Sequence, residues 1–206
     1  MSATTQPVRV VLFDVGGVLV QLSGVSTVMS WVADRWTPAD VWHRWLHSPA
    51  VRAFETGQTD ATTFAADLVR ELDLGVEPRL FLDSFAGWPT GLYPGVHELV
   101  ARIPRHVTRA LLSNSNSLHW PRVEGEFGLG ALFEHRFVSH LTGRIKPDRE
   151  AFEHVVDSLG CEAGAVFFLD DNLLNVEAAH AAGMQGALVR GIQEAERALR
   201  QAAVIS

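Results

Sequence analysis

Short runs of consecutive apolar residues alternate along the chain with stretches in which apolar residues recur every three or four positions. Five of the runs are rich in β-branched and aromatic residues and end at polar or turn-forming residues, as buried strands do. The predicted strands are Val8–Phe13, Val107–Leu112, Arg136–Ser139, Ala165–Leu169 and Gly186–Val189. Unbroken apolar runs, rather than alternating ones, indicate a parallel sheet that is covered on both faces.

The segments between these runs carry helical patterns. Apolar positions share one face in residues 96–103 and again in residues 152–159, which follow Pro147 at a plausible first turn. An alanine-rich helix is predicted over residues 172–182 and a last surface helix over residues 193–202. The alternation of strand and helix predicts an α/β fold with a parallel, Rossmann-like sheet and helices on both faces.

The segment from about residue 21 to residue 88 breaks this alternation. It contains no convincing strand, and its clearest helix is Thr59–Leu74, with apolar residues at every fourth position. Four of the six tryptophans fall in its first part, and we interpret them as part of the core of this segment: Trp31, Trp36, Trp42 and Trp45. The predicted organisation is a Rossmann-like core (residues 1–20 and 89–206) and an all-helical cap inserted after strand 1 (residues 21–88).

Polar residues follow the predicted strands at the points where the strands end. Asp14 follows the first, Ser113 and Asn114 the second, and the pair Asp170 and Asp171 a later one. A further polar group, Lys-Pro-Asp at residues 146–148, opens a helix. Ligands of open parallel sheets bind beyond the carboxyl ends of the strands, so these residues predict one site at one edge. Singly, each also fits a cap or turn residue.

These residue types suit phosphoryl chemistry. If Asp14 and Asp171 lie on neighbouring strand ends, their carboxylates repel unless a cation compensates, and Mg²⁺ is a hard cation that prefers such oxygen ligands. A carboxylate beside the metal can attack phosphorus and form an acyl phosphate. The remaining phosphate oxygens then need donors, for which we expect Ser113, Lys146 and the backbone amides of residues 16–17 and 114.

Composition narrows the range of functions. The 206 residues carry a net charge of −7 with no basic run, which argues against nucleic acid as a main partner. The single cysteine, Cys161, allows no internal disulfide. We see no membrane-spanning stretch and no signal sequence, so a cytoplasmic protein is expected. Of the 17 basic residues only Lys146 is lysine, which hints at a site that needs a compact ammonium group.

Four ordered motifs resemble those of the haloacid dehalogenase-like superfamily. They lie at residues 14–19 (DVGGVL), 111–115 (LLSNS), 146–148 (KPD) and 168–175 (FLDDNLLN). The predicted insert is similar to the small helical cap of that superfamily. Within it, residues 54–59 (FETGQT) and 113–119 (SNSNSLH) make the chain most similar to bacterial phosphatases that act on α-glucose 1-phosphate, and to the phosphatase domain of soluble epoxide hydrolases.

The resemblance implies a role for each matched residue. Asp14 would be the nucleophile and a Mg²⁺ ligand, together with the Gly16 carbonyl and Asp171. Lys146 would bridge Asp14 and the phosphate, and Gly17, Ser113 and Asn114 would hold the phosphate. Asp170 would be a supporting group, and Asn175 would support Asp171 from one helical turn further on.

One position departs from the superfamily pattern. Most of its phosphatases carry a second aspartate two residues after the nucleophile as general acid and base, and here that residue is Gly16. An acid helps least when the leaving group is already acidic, which favours substrates such as a sugar 1-phosphate or an acyl phosphate. Alternatively another residue supplies the proton, and the candidates are Glu55, His43, His47, Asp60 and His119.

The sequence therefore predicts a Mg²⁺-dependent phosphohydrolase that cleaves a small phosphorylated metabolite through an aspartyl-phosphate, acting as a monomer or homodimer. One alternative is a metal-independent 2-haloacid dehalogenase, against which the acidic pair at residues 170–171 argues. Another is a decayed enzyme that only binds a phosphometabolite, although binding alone requires no nucleophile. A phosphonate hydrolase would need a lysine in the cap, which has none. A phosphomutase would need the aspartate that Gly16 replaces.

Overall fold

The computed structural model describes residues 6–32 and 35–206. Within these residues the strands are β1 (Val10–Phe13), β2 (Val20–Leu22), β3 (Pro89–Leu92), β4 (Thr108–Ser113), β5 (His135–Val138), β6 (Val166–Asp170) and β7 (Gln185–Leu188). The α-helices are α1 (Gly24–Trp31), α2 (Pro38–Leu46), α3 (Pro49–Glu55), α4 (Ala61–Glu71), α5 (Pro78–Phe85), α6 (Val96–Ala101), α7 (Ser139–Thr142), α8 (Arg149–Leu159), α9 (Leu173–Ala181) and α10 (Gly191–Gln201). Short helical turns lie at Arg122–Glu126, Leu129–Ala131 and Ala163–Ala165.

Five of the strands form one parallel sheet in the order β5-β4-β1-β6-β7. The α/β prediction is confirmed, and all five strands predicted from apolar runs are present with ends within two residues of the predicted ones. The central strand β1 is buried along its whole length, which explains why its sequence is apolar without alternation.

The two faces of the sheet are covered by different helices. Val11 and Phe13 of β1 belong to a hydrophobic cluster that includes residues of α6 and α10. Val10 and Leu12, which point to the opposite face, belong to a cluster with residues of α8 and α9. Helices therefore pack on both faces, as predicted.

Helices α1 to α5 form the cap between β2 and β3, around a hydrophobic cluster of their own. Its centre is aromatic: the rings of Phe54 and Phe64 stack with centroids 4.4 Å apart, and Phe81 and Phe85 complete the group. Three of the tryptophans assigned to this core pack against it, Trp31, Trp36 and Trp45. Trp42 does not, because its side chain is exposed.

Two short antiparallel strands, β2 and β3, join the cap to the core, with Gln21 opposite Gly91. They were missed because each is only three or four residues long and lies at the edge of the segment taken as helical. The domain boundaries at residues 20/21 and 88/89 stay a prediction. No helix within residues 6–32 and 35–206 is long and apolar enough to cross a membrane.

Candidate active site

Three carboxylates meet at the carboxyl end of the sheet. Asp14 directly follows β1, Asp170 ends β6 and Asp171 follows it. Because β1 and β6 are neighbours, with Phe13 opposite Leu169, each of the three carboxylates offers an oxygen within 4.8 Å of the others. The backbone N–H of Asp14 donates to the Leu169 carbonyl over 2.8 Å, so the sheet itself fixes where this side chain starts.

The ammonium group of Lys146 lies among these carboxylates. Its Nζ donates to Oδ1 of Asp14 over 2.6 Å and to Oδ2 of Asp170 over 2.7 Å, and its side chain is 1% exposed. Asn114 fixes the backbone of this lysine twice, since its side-chain amide donates to the Lys146 carbonyl and accepts from the Lys146 N–H, both over 2.9 Å. The side-chain polar atoms of Asn114 thus bind Lys146, and the expected contact of the Asn114 backbone amide with phosphate stays a prediction.

Asp170 is a fully buried carboxylate with several donors around it. Besides Lys146, the backbone N–H of Asn172 donates to its Oδ1 over 2.8 Å. The Asn175 side-chain amide donates to both of its oxygens, over 3.1 and 3.0 Å. The expected support of Asp171 by Asn175 is wrong, since Asn175 binds Asp170, the carboxylate that has no access to water.

Two glycines shape the turn after β1. Gly17 has φ +73°, and a Cβ atom there would overlap the carboxylate of Asp171. Its N–H donates to the Val20 carbonyl over 2.9 Å, so the expectation that this amide holds phosphate is corrected. Gly17 instead leaves room for Asp171. The Gly16 carbonyl accepts no hydrogen bond from residues 6–32 or 35–206, so it is free to bind a cation.

The loop after β4 carries Ser113, which is buried and lines the same site. This loop is held by Ser139, whose hydroxyl accepts from the Ser115 N–H over 2.9 Å and donates to the Ser115 carbonyl over 3.0 Å. Sequence reasoning missed Ser139, which is the last residue of a predicted strand, a position that gives no signal of this contact.

The electrostatics of the site favour a bound cation. Burial raises the pKa of Asp14 well above its usual value; Lys146 opposes this, and the charges of Asp170 and Asp171 add to it. Burial and the neighbouring Asp170 likewise raise the pKa of Asp171. Burial alone would lower the pKa of Lys146. The charges of Asp14 and Asp170 raise it by more than burial lowers it, so this lysine stays charged. Three carboxylates with one ammonium group leave an excess of negative charge, which a divalent cation would neutralise.

The ligand atoms that the site offers are of the type that Mg²⁺ prefers. Asp14 and Asp171 offer carboxylate oxygens and Gly16 a carbonyl oxygen, all of them hard ligands. Asp170 belongs to the same cluster, but its oxygens already accept from Lys146 and Asn175.

A cavity of about 840 Å³ extends from these residues to the helices of the cap. Glu55, the last residue of α3, lines it, and among the described residues none donates a hydrogen bond to its carboxylate. Burial raises the pKa of Glu55 to about 7, with the charge of Lys146 acting in the opposite direction. Glu55 is therefore a titratable group near neutral pH that faces the same space as Asp14.

The other proton donors considered from the sequence have different surroundings. Asp60 caps α4 by accepting from the Thr63 N–H over 2.8 Å. His119 contacts the Phe85 carbonyl through Nε2 over 2.6 Å, and burial lowers its pKa to about 4. His47 lines the cavity, but its Nδ1 lies 2.7 Å from the carbonyl of the exposed His43. Glu55 is thus the best placed of the five.

The family model for haloacid dehalogenase-like hydrolases matches residues 8–183. The chain is 47% identical over 55 residues to a sesquiterpene phosphatase of Aspergillus oryzae, a match to 27% of this chain that spans only 28% of that protein. It is 27% identical over 155 residues to a phosphatase of Mycobacterium tuberculosis, covering 72% of this chain and 70% of that one. The prediction of a hydrolase of this family is confirmed.

Solved structures share the fold. One is an enzyme of the same family from Bacteroides thetaiotaomicron in complex with magnesium and inorganic phosphate, with a TM-score of 0.69 and 20% identity, covering 87% of this chain and 93% of that one. Another is the L-2-haloacid dehalogenase of Xanthobacter autotrophicus with covalently bound chloropropionic acid. Its TM-score is 0.64 at 18% identity, and the match covers 97% of this chain and 85% of that one. At these identities the likeness shows the fold alone.

Proposed function

This chain belongs to the haloacid dehalogenase-like hydrolase family, and from that premise we propose that it is a Mg²⁺-dependent phosphohydrolase that cleaves a phosphomonoester. The observation that carries the proposal is the buried cluster of Asp14, Asp170 and Asp171 around Lys146. Both relatives described above are phosphatases, which supports the same reaction class.

Asp14 is the proposed nucleophile. A carboxylate oxygen of Asp14 attacks phosphorus, the bond between phosphorus and the alcohol oxygen breaks, and an aspartyl-phosphate forms. Water then attacks this phosphorus, which releases inorganic phosphate and restores the carboxylate. Lys146 holds Oδ1 of Asp14 and places a positive charge beside the transferring group. Ser113 and the backbone amide of Asn114 are the proposed donors to the phosphate oxygens.

Asp14, Asp171 and the Gly16 carbonyl are the proposed Mg²⁺ ligands. The cation would neutralise the charge that the carboxylates and the phosphate bring together. Asp170 is the group that keeps Lys146 in place rather than a ligand, since Lys146 and Asn175 occupy its oxygens.

Glu55 is the proposed substitute for the general acid missing at Gly16. Its carboxyl group lines the cavity, and its pKa of about 7 leaves it partly protonated at neutral pH. In the first step the protonated form gives its proton to the leaving alcohol, and in the second step the carboxylate takes a proton from the attacking water.

Phosphate release tests the proposal. The purified protein is incubated with p-nitrophenyl phosphate, acetyl phosphate and α-glucose 1-phosphate, in MgCl₂ or in EDTA. We expect release only with Mg²⁺, its loss in Asp14→Asn, and its retention in the control Asp67→Asn, an exposed site on α4. Full activity in Asp14→Asn would refute the mechanism.

The same assay separates the alternatives. Release of chloride from 2-chloropropionate in EDTA would assign the chain to the dehalogenases, whose fold it shares. Binding of the phosphoesters without hydrolysis of any of them would assign it to non-enzymatic phosphometabolite binding.

A further inference from the structure

The cavity beyond the carboxylates is walled mainly by apolar side chains. On the cap side these come from α1, α2 and the segment between α5 and β3, and they include Val28, Met29, Val41, Trp45 and Trp88. The volume of about 840 Å³ lies within the range of roughly 300–1,000 Å³ that is usual for sites of organic ligands. The cavity is therefore large enough for an alcohol group much bulkier than the phosphate.

The mouth of the cavity is apolar as well. Among residues 6–32 and 35–206, eight large apolar side chains are exposed. Four of these eight line this cavity: Leu22, Trp42, Leu46 and Leu174. They come from β2, α2 and α9, so three separate segments of the cap and core place exposed apolar groups around one opening. Exposed apolar residues gathered in this way mark a binding surface.

Most polar side chains in the cap-facing part of the cavity already have partners within the protein. The Ser26 hydroxyl donates to the Ser23 carbonyl over 2.7 Å, and His119 contacts the Phe85 carbonyl. Arg52 pairs with Asp148. The Glu55 carboxylate and the buried indole N–H of Trp88 have no such partner among the described residues. A ligand with many hydroxyl groups would leave most of them without partners here, which is costly.

We propose that the substrate is a phosphomonoester of a bulky, apolar alcohol, and not of a sugar or another polyol. This inference rests on the proposed function and names its substrate class. The phosphate lies at the carboxylate edge of the sheet, and the alcohol group extends between the tryptophans of the cap and Leu174. This substrate class replaces the sugar 1-phosphate that the sequence resemblance implies.

A series of straight-chain alkyl phosphates tests the proposal, because ethyl, butyl, hexyl and octyl phosphate have leaving groups of equal basicity and differ only in apolar area. Each methylene that enters the cavity should raise kcat/KM about fourfold, the ratio that corresponds to about 0.8 kcal/mol per buried methylene. α-Glucose 1-phosphate and glucose 6-phosphate serve as polar comparators, and octyl phosphate should exceed both in kcat/KM.

Two variants show whether the cavity causes this dependence. Trp42→Gln and Leu174→Gln replace exposed side chains at the mouth, so both should fold, and each should flatten the rise of kcat/KM with chain length. Leu80→Gln is the matched control, an exposed leucine of the cap outside the cavity, and should leave the series unchanged.

The outcomes separate the two proposals. Hydrolysis of ethyl phosphate and the sugar phosphates with no rise along the series would overturn the inference and leave the phosphohydrolase proposal intact. An unchanged rise of kcat/KM with chain length in both Trp42→Gln and Leu174→Gln would likewise overturn the inference and leave the phosphohydrolase proposal intact. Failure to hydrolyse any phosphomonoester would overturn both.

Discussion

The Nζ of Lys146 donates to Oδ1 of Asp14 over 2.6 Å, although 132 positions separate the two residues in the chain. The contact is buried, and a second carboxylate, Asp170, holds the same ammonium group from another side. This arrangement needs a compact cation with several donors, which agrees with the survival of a single lysine among 17 basic residues.

Lys146→Arg should therefore lower kcat/KM by about a hundredfold or more, the usual loss when one donor to a transferring group is misplaced. A guanidinium group is larger than the space between the two carboxylates and donates in a fixed plane. Steady-state rates on p-nitrophenyl phosphate measure this, with near-UV circular dichroism to confirm the fold. The exposed Arg149→Lys is the control. A rate for Lys146→Arg within threefold of the wild type would show that the charge alone suffices.

Gly17→Ala tests the close approach of this turn to Asp171. The new Cβ would displace the Asp171 carboxylate, so we expect at least a tenfold weaker Mg²⁺ affinity, measured by calorimetry on the metal-free protein. Gly143→Ala is a matched control, because its φ of +71° nearly equals the +73° of Gly17, and no atom lies within 4 Å of its Cβ position. Both variants should lose about 1 kcal/mol of stability from the backbone strain. Equal loss of Mg²⁺ affinity in both would contradict the proposed role of Asp171.

Asn175→Ala tests the corrected assignment of this residue. Its amide donates to both oxygens of the fully buried Asp170, so the variant should lose about 1–3 kcal/mol in the free energy of unfolding, measured by urea denaturation. Mg²⁺ affinity should change little, because Asn175 does not contact Asp171. Glu177→Ala, an exposed site on the same helix, should stay within about 0.5 kcal/mol of the wild type. A large loss of Mg²⁺ affinity with unchanged stability would restore the original assignment.

The sequence predicted the sheet because its strands are buried on both faces and so appear as unbroken apolar runs. It also placed Asp14 and Asp171 together, since both follow neighbouring strands. It did not predict the partner of Asn175, because Asp170 and Asp171 are both within reach of a residue one turn later. The structure distinguishes the two aspartates, because Asp170 is completely buried and is the one that Asn175 binds.

Two other features depend on backbone and helix orientation that one sequence does not reveal. The N–H of Gly17 donates to the Val20 carbonyl within the turn, and the residue types alone do not predict this hydrogen bond. The apolar cavity combines residues from separate segments, among them Trp42 and Leu174, and each looks like an ordinary core residue in the sequence. The substrate class inferred from the cavity therefore differs from the one suggested by the motifs.

Glu55→Gln tests the proposed proton donor through pH and leaving group. With a pKa of about 7, Glu55 is protonated below pH 7, so kcat/KM of the wild type should fall as pH rises above about 7. The variant should lose this limb of the profile. It should also lose far more activity on hexyl phosphate than on p-nitrophenyl phosphate, whose acidic leaving group needs little help. Equal losses on both substrates would show that Glu55 only positions the substrate.

Stability gives an independent check on Glu55. Its pKa is raised on folding from 4.5 to about 7, so the folded state binds more protons in that interval and its stability falls as pH rises through it. Glu55→Gln has no carboxyl group to titrate at this position, so it removes this pH-dependent loss of stability. The variant should match the wild type near pH 4 and exceed it in free energy of unfolding at pH 8, as measured by urea denaturation. An equal pH dependence in both proteins would contradict the burial of this carboxyl group.

The central claim is that Asp14 takes up the phosphoryl group. Acid quenching of the wild-type protein during turnover of a radiolabelled phosphomonoester with Mg²⁺ shows whether the protein carries the label. Borohydride reduction of a second quenched sample releases the phosphate and converts the phosphorylated aspartate to homoserine, which mass spectrometry locates. We predict one modified residue, Asp14, with no label in EDTA or in Asp14→Asn. Label on another residue, or full turnover by Asp14→Asn without any covalent label, would contradict the account.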